Sequence, residues 1–207
     1  MSKKIFFLLS LLVLVALALT ACGGGEASEA DCGKEDVLCV GLMTDVGEVD
    51  DKSFNQSAWE GVKLAESELG AIVNYVETKD AKDYEANIAL FGDKDYDIIV
   101  TVGFAAGEAT MAGSAAYPDI RFIGVDQWND GSNPMVTGLL FPEDKAGFLA
   151  GALAAMMTKT DTVAAVLGTD LVPPVVAFKE GYEGGAKYIN ADINLISTYH
   201  PGGLDVA

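Results

Sequence analysis

Three short stretches carry the side chains with chemistry to offer. Thr44-Asp45-Val46-Gly47-Glu48-Val49-Asp50-Asp51-Lys52-Ser53-Phe54-Asn55-Gln56 is a long polar turn that delivers Phe54 and Asn55 to a helix start. Gly103-Phe104 and Asp126-Gln127-Trp128-Asn129 each follow a short apolar run. Carboxylates, amides and aromatic rings in one set suit a flat, neutral, hydroxyl-bearing ligand: ring faces stack, and carboxylates accept hydrogen bonds from hydroxyls or exocyclic amines. Plainer readings stand beside this one. Phe54 could pack into the core as a helix-start residue, Asp45 could accept from N–H groups of its own turn, and Phe104 and Trp128 could be rim packing. Asp50 and Asp51 suit a helix N-terminus, where negative charge is favoured. Asp126 resists a structural explanation, because a buried unpaired carboxylate is costly and no basic residue adjoins it.

Composition narrows the chemistry further. Thirteen basic against 31 acidic residues leave a net charge of −18, and Arg121 is the sole arginine among 207 residues. Gripping a nucleic-acid backbone needs clustered Lys and Arg, so that class is excluded. With one histidine, His200, and three cysteines, His/Cys metal clusters and imidazole catalysis have little material. No cofactor is expected.

The elements that must position these residues alternate in type. Apolar runs at 37–43, 71–76, 98–102, 121–125 and 136–141 read as strands. Ile98 to Val102 lacks alternation, as in a central strand covered on both faces. Between them lie a helix opened by a Ser53/Gln56 capping box with an inner stripe of Ala58, Val62, Ala65 and Leu69, a second burying Ala81, Tyr84, Ile88 and Phe91, and an Ala-rich third from about Ala105 to Tyr117. Strand and helix at this spacing mean βαβ units and a doubly wound parallel sheet, with ligands expected beyond the carboxyl ends of the strands. Residues 37–141 form one α/β lobe. From 142 to 207 the pattern continues with a helix at 143–158, a strand at 163–167, a helix from Pro174 with Val175, Phe178, Tyr182 and Ala186 inward, and a strand at 193–199. Two strands cannot close a sheet of their own, so this stretch reads as the first part of a second α/β lobe in a longer protein, with a hinge near Leu140 to Asp144.

The start of the chain reads as an address. Lys3 and Lys4 precede an apolar run from Ile5 to Ala21, the layout of an export signal over residues 1–21; an uncleaved anchor helix is the competing reading. Leu19-Thr20-Ala21-Cys22 resembles the lipobox of bacterial lipoproteins, which implies lipidation of Cys22, attachment to the extracytoplasmic face of the cell membrane and a mature chain beginning there. Residues 22–36 are small and acidic and read as a flexible tether. Cys32 and Cys39 either pair in an oxidising compartment or remain thiols, with Cys39 buried.

Thr44-Asp45-Val46-Gly47, then Asp50-Asp51-Lys52-Ser53-Phe54-Asn55-Gln56 and Trp59-Glu60-Gly61, resemble the signature of the basic membrane protein family. The likeness continues at Gly124-Val125-Asp126-Gln127, at Phe148-Leu149-Ala150-Gly151 and at Phe178-Lys179-Glu180-Gly181-Tyr182-Glu183, and covers residues 37–207. It implies a periplasmic-binding-protein type I-like fold and a lipid-anchored substrate-binding protein of a bacterial ABC importer, with purine-nucleoside receptors as the characterised members. It further implies that Phe54 stacks on the base, that Asp45 and Asn55 bond to it and that Asp126 holds ribose hydroxyls. The family's second stacking aromatic, another ribose-binding Asp and a lysine fall beyond residue 207. Two other classes share some of these features. The acidic turn superficially resembles the calcium motif of nucleoside hydrolases, but Met43 stands where that motif opens with Asp, and one extra residue separates Gly47 from the Asp pair. A tethered sensor feeding a signalling partner fits the same fold. The expected protein is thus a monomeric receptor, not an enzyme, whose partners are a nucleoside-like small molecule, an ABC permease and, through its lipid, the membrane.

Overall fold

The computed structural model describes residues 27–201; the expected export signal, the lipobox with Cys22 and the first residues of the tether lie outside them. Strands β1 (Cys39–Val46), β2 (Ile72–Thr78), β3 (Ile98–Val102), β4 (Arg121–Val125) and β5 (Val136–Leu139) form a parallel sheet in the order β2-β1-β3-β4-β5. Helix α1 (Phe54–Leu69) covers one face; α2 (Tyr84–Gly92) and α3 (Gly107–Ala116) cover the other. The two-residue side-chain period of a strand explains the division. Val40 and Leu42 of β1 enter the α1 core with Val62, Val100 and Val125, while Cys39 and Met43 enter the opposite core with Ile88, Phe91, Ile99 and Phe122.

The connections depart from the sequence pattern more than the elements do. β1 runs on to Val46 through an irregular register between Met43 and Val46, a bulge of the kind that re-aims side chains beside sites. The capping box at Ser53 does not form. Asp51 instead accepts from the backbone N–H groups of Ser53 (2.8 Å), Asn55 (3.0 Å) and Gln56 (3.1 Å), because a carboxylate two residues upstream offers two oxygens to several orphan donors where a hydroxyl offers one. Leu69 is exposed, since the chain leaves the helix at Gly70 in a left-handed conformation and no further turn covers it. Ala81 is exposed in a separate 3-10 turn capped by Asp80, so the second helix begins at Tyr84.

The cysteines resolve into a disulfide, Cys32–Cys39, with Cα atoms 5.7 Å apart. Glu29 adds a second tie: its carboxylate accepts from Tyr96 Oη (2.7 Å), Lys94 Nζ (2.9 Å) and Asn74 Nδ2 (3.3 Å). The bond from Tyr96 first, then that from Lys94, holds its pKa below the ordinary value. Residues 28–36, expected within the tether, are thus held to the amino edge of the sheet.

Beyond β5, α4 (Glu143–Met157), β6 (Thr162–Leu167), α5 (Pro173–Ile189) and β7 (Asn194–Tyr199) make a second unit with a two-stranded parallel sheet. One face of that sheet packs Val163 and Leu195 against Ala186; on the other, Val166 and Ile196 are exposed. Among the described residues no helix is long and apolar enough to cross a membrane. α4 and α5 cross backbone to backbone at glycines. A Cβ at Gly151 would lie 1.9 Å from the Tyr182 carbonyl oxygen, and one at Gly185 would lie 1.9 Å from that of Phe148. Such approach leaves weak Cα–H···O contacts in place of side-chain packing. Gly151→Ala is therefore expected to lower the urea midpoint. Overpacking costs about 1–3 kcal/mol and alanine's helix propensity returns about 1 kcal/mol, so a raised midpoint would refute the crossing.

Candidate functional site

The sheet order reverses direction between β1 and β3, the point at which an open parallel sheet leaves a crevice beyond its strand ends. Asp45 ends β1, Gly103 and Phe104 follow β3, and Asp126 follows β4. A cleft of about 480 Å³ opens beside this rim. Phe54, Ser57 and Ala58 of α1 form one wall, Val125 and Asp126 its floor, and Phe141 of the connecting segment with Glu143, Pro174 and Phe178 of the second unit the opposite side.

Asp126 is the unusual group. Its φ is +62°, a left-handed conformation uncommon for a residue with a Cβ, and its N–H donates to the Leu139 carbonyl at 2.8 Å. Its Oδ1 is buried and has no hydrogen-bond partner among the described residues. Desolvation, followed by the nearby charges of Glu143 and Asp45, lifts its pKa from 3.8 to about 6. Asp45 is held differently. Its Oδ1 accepts from Tyr84 Oη and from the Val46 N–H (2.8 Å), and its own N–H donates to Asn55 Oδ1 (2.9 Å). Burial first, then the bond to Asp45, raises the Tyr84 hydroxyl above its ordinary pKa.

Of the six residues read as ligand-binding, the structure brings Phe54 and Asp126 together in the cleft, with Asp45 near enough to act on Asp126 electrostatically. Asn55 is only 3% exposed. Its amide joins the Asp45 N–H to the Glu48 carbonyl (3.3 Å) and so shapes the turn. Phe104 and Trp128, the latter 72% exposed, border a separate groove of about 330 Å³ with Glu108 and Met111. Sequence reasoning missed Phe141, Glu143 and Phe178 as lining groups. The helical spacing of Phe178 suggests a core residue, yet it is 43% exposed and faces the cleft, because the first two turns of α5 overhang the cleft. A larger hollow of about 620 Å³ runs along the α4–α5 pair past Asp144, Lys145, Phe148 and Glu180; none of its residues has a buried unpartnered polar atom.

Residues 39–206 match the family described as Bmp, PnrA-like ABC transporter substrate-binding proteins. The chain belongs to the Bmp family. Among Bmp-like relatives, the ABC transporter nucleoside-binding protein BmpA of Lactococcus lactis is 30% identical over 212 residues, covering 100% of this chain and 60% of its own length. Basic membrane protein A of Borreliella burgdorferi is 29% identical, covering 93% and 55%. The chain thus spans only 44% to 60% of the length of the curated relatives it matches. A solute-binding protein of an ABC transporter system from Aeropyrum pernix superposes with a TM-score of 0.70 at 29% identity, over 78% of this chain and 47% of that one. An ABC transporter solute-binding protein from Mycobacterium smegmatis, 13% identical with a TM-score of 0.62 over 80% and 56%, shares the fold. The periplasmic-binding-protein type I-like architecture expected from the sequence is the one observed.

The raised pKa of Asp126 has a signed consequence. Folding disfavours its ionised form, so the associated stability is complete below about pH 4 and is lost as pH rises through about 6. Asp126→Asn is expected to flatten the fall of the thermal midpoint across that window, and a slope equal to that of the unmutated protein would contradict the assignment.

Proposed function

We propose that this Bmp-family chain is the receptor of an ABC importer, lipid-anchored on the extracytoplasmic face, acting as a monomer and closing over a nucleoside-like solute that it passes to a permease without making or breaking a bond. The observation that carries the reading is the orphaned Asp126 oxygen in a cleft walled by Phe54, Phe141 and Phe178. An unpartnered buried acceptor favours a ligand hydroxyl, and aromatic faces favour a planar base. The printed name of the L. lactis relative, a nucleoside-binding protein, points the same way. Phe54 is assigned to stacking and Asp126 to the sugar hydroxyls, with Asp45 behind it and Asn55 holding the turn. Phe104 and Trp128, expected at the ligand, are retained only as groups of the neighbouring groove. Asp51, which the calcium-motif reading would need as a metal ligand, has both oxygens occupied by the N-terminus of α1.

Closure follows from population shift: a solute touching both sides of the cleft stabilises the closed form by its differential affinity for that form. Calorimetric titration of the full-length gene product with inosine is expected to show saturable binding. Asp126→Ala should weaken it by at least about 1.5 kcal/mol, the scale of a charge-assisted hydrogen bond, and Phe54→Ala by about 1–3 kcal/mol, the scale of base stacking; unchanged titrations would refute these roles. Cys22→Ser is expected to move the protein from the membrane pellet to the soluble fraction, and continued sedimentation with membranes would refute the anchor.

A further inference from the structure

We infer that Gln127 is a positioning residue: its buried amide ties the ends of β3 and β4 together and thereby fixes the aim and spacing of two carboxylates, Asp126 and Asp45. The inference rests on the reading of Asp126 as a ligand-binding group. Gln127 is 5% exposed. Its Nε2 donates to the Gly103 carbonyl (3.0 Å) and to Thr101 Oγ1 (3.2 Å), both from β3 and its following turn. Thr101 Oγ1 pairs in turn with Thr110 Oγ1 at 2.7 Å, and Thr110 donates to the Ala106 carbonyl at 2.9 Å, so the amide is anchored to α3 as well.

The side chain reaches this position only because the chain doubles back. The left-handed Asp126 turns the backbone, Gln127 folds over Gly124, and a Cβ at Gly124 would lie 2.3 Å from Gln127 Oε1. The hydrogen bonds of Gln127 thus offset the unfavourable backbone of its neighbour. The same amide pins Gly103, whose φ is +97°, and the Cα of Gly103 is the surface against which the Asp45 carboxylate rests: a Cβ there would lie 2.4 Å from Asp45 Oδ2. One side chain outside the lining of the cleft therefore sets both carboxylates.

The test reads Asp126 directly. In protein carrying ¹³C-labelled aspartate, the Asp126 carboxyl is expected to titrate near 6 in the unmutated chain. In folded Gln127→Leu it is expected to titrate below about 5, toward the ordinary carboxylate value, as the turn relaxes and the carboxyl reaches water. Glu143 of α4 and Asp45 of β1, the charged groups acting on Asp126, are retained in the variant. A folded Gln127→Leu that titrates like the unmutated protein overturns the proposal. Should Gln127→Leu fail to fold, Thr101→Val removes one acceptor and leaves Gln127 in place; a smaller downward shift supports the proposal and no shift overturns it. Inosine affinity of the full-length product is expected to fall at least tenfold in Gln127→Leu. Failure of the unmutated full-length product to bind inosine would sink the nucleoside reading while leaving the titration to judge Gln127.

Discussion

A buried carboxylate oxygen with no partner among the described residues, on a residue whose backbone sits in the left-handed region, is the constraint around which this rim is organised. Each feature alone is unfavourable, and together they persist only where the surroundings over-determine the geometry. Three ties do so. The Asp126 N–H is fixed to β5 through Leu139, the following residue is buried under the β3 turn, and the chain behind it packs against Gly124 and Gly138. In the proposed receptor these ties place Asp126 before any ligand arrives. Preorganisation of this kind lowers the ordering cost of binding, and a hydroxyl donated to Oδ1 would gain both its own bond and relief of the desolvation it ends.

What was legible in the sequence follows from which signals are local. Strand and helix identity rest on side-chain periodicity over many residues, and the parallel sheet, its helices and the second unit fall where that periodicity puts them. Asp126 was legible because an acidic residue at a strand end without a basic neighbour has few structural excuses. What escaped depends on contacts across the chain. Ser53 and Asp51 both look like caps, and only the path of the turn decides which reaches the N–H groups. Phe178 lies on a helical stripe that reads as core, and only the overhang of α5 turns it into a wall. Asn55 and Phe54 are adjacent in sequence, yet one faces inward to brace the turn and the other faces the cleft, a choice fixed by the helix start. Phe104 and Trp128 sit at the correct strand ends but face a different groove, because strand-end position fixes a rim and not a direction along it.

The first sheet also separates two tasks by its polarity. Parallel strands present all their carboxyl ends at one edge and all their amino ends at the other. The disulfide enters at Cys39, the first residue of β1, whereas Asp45 stands near its end, about 20 Å away at the rise of a strand. Glu29 is bound to Lys94 and Tyr96, which lead into the amino end of β3. In the proposed receptor the segment leading toward the lipid therefore leaves from the pole opposite the cleft. Among the described residues, the disulfide and the Glu29 contacts are two independent ties at that amino side.

The second wall of the cleft obeys a different logic. Phe178 and Pro174 belong to α5, and α5 cannot shift relative to α4 without opening a crossing in which glycines let backbone meet backbone. The pair is therefore packed as one body, joined to the first sheet through Leu140, Phe141 and Pro142. A rotation about that connection would carry Phe178 and Pro174 toward Phe54 and Asp126 while leaving each wall internally unchanged. In the proposed receptor, that arrangement concentrates the cost of closure in a few connecting residues, where a solute that touches both walls can offset it. A solute that touches only the Asp126 side has equal affinity for the open and closed forms and shifts nothing, however tightly it binds. In the proposed receptor, selectivity then depends on the span between Asp126 and Phe178 as much as on either residue.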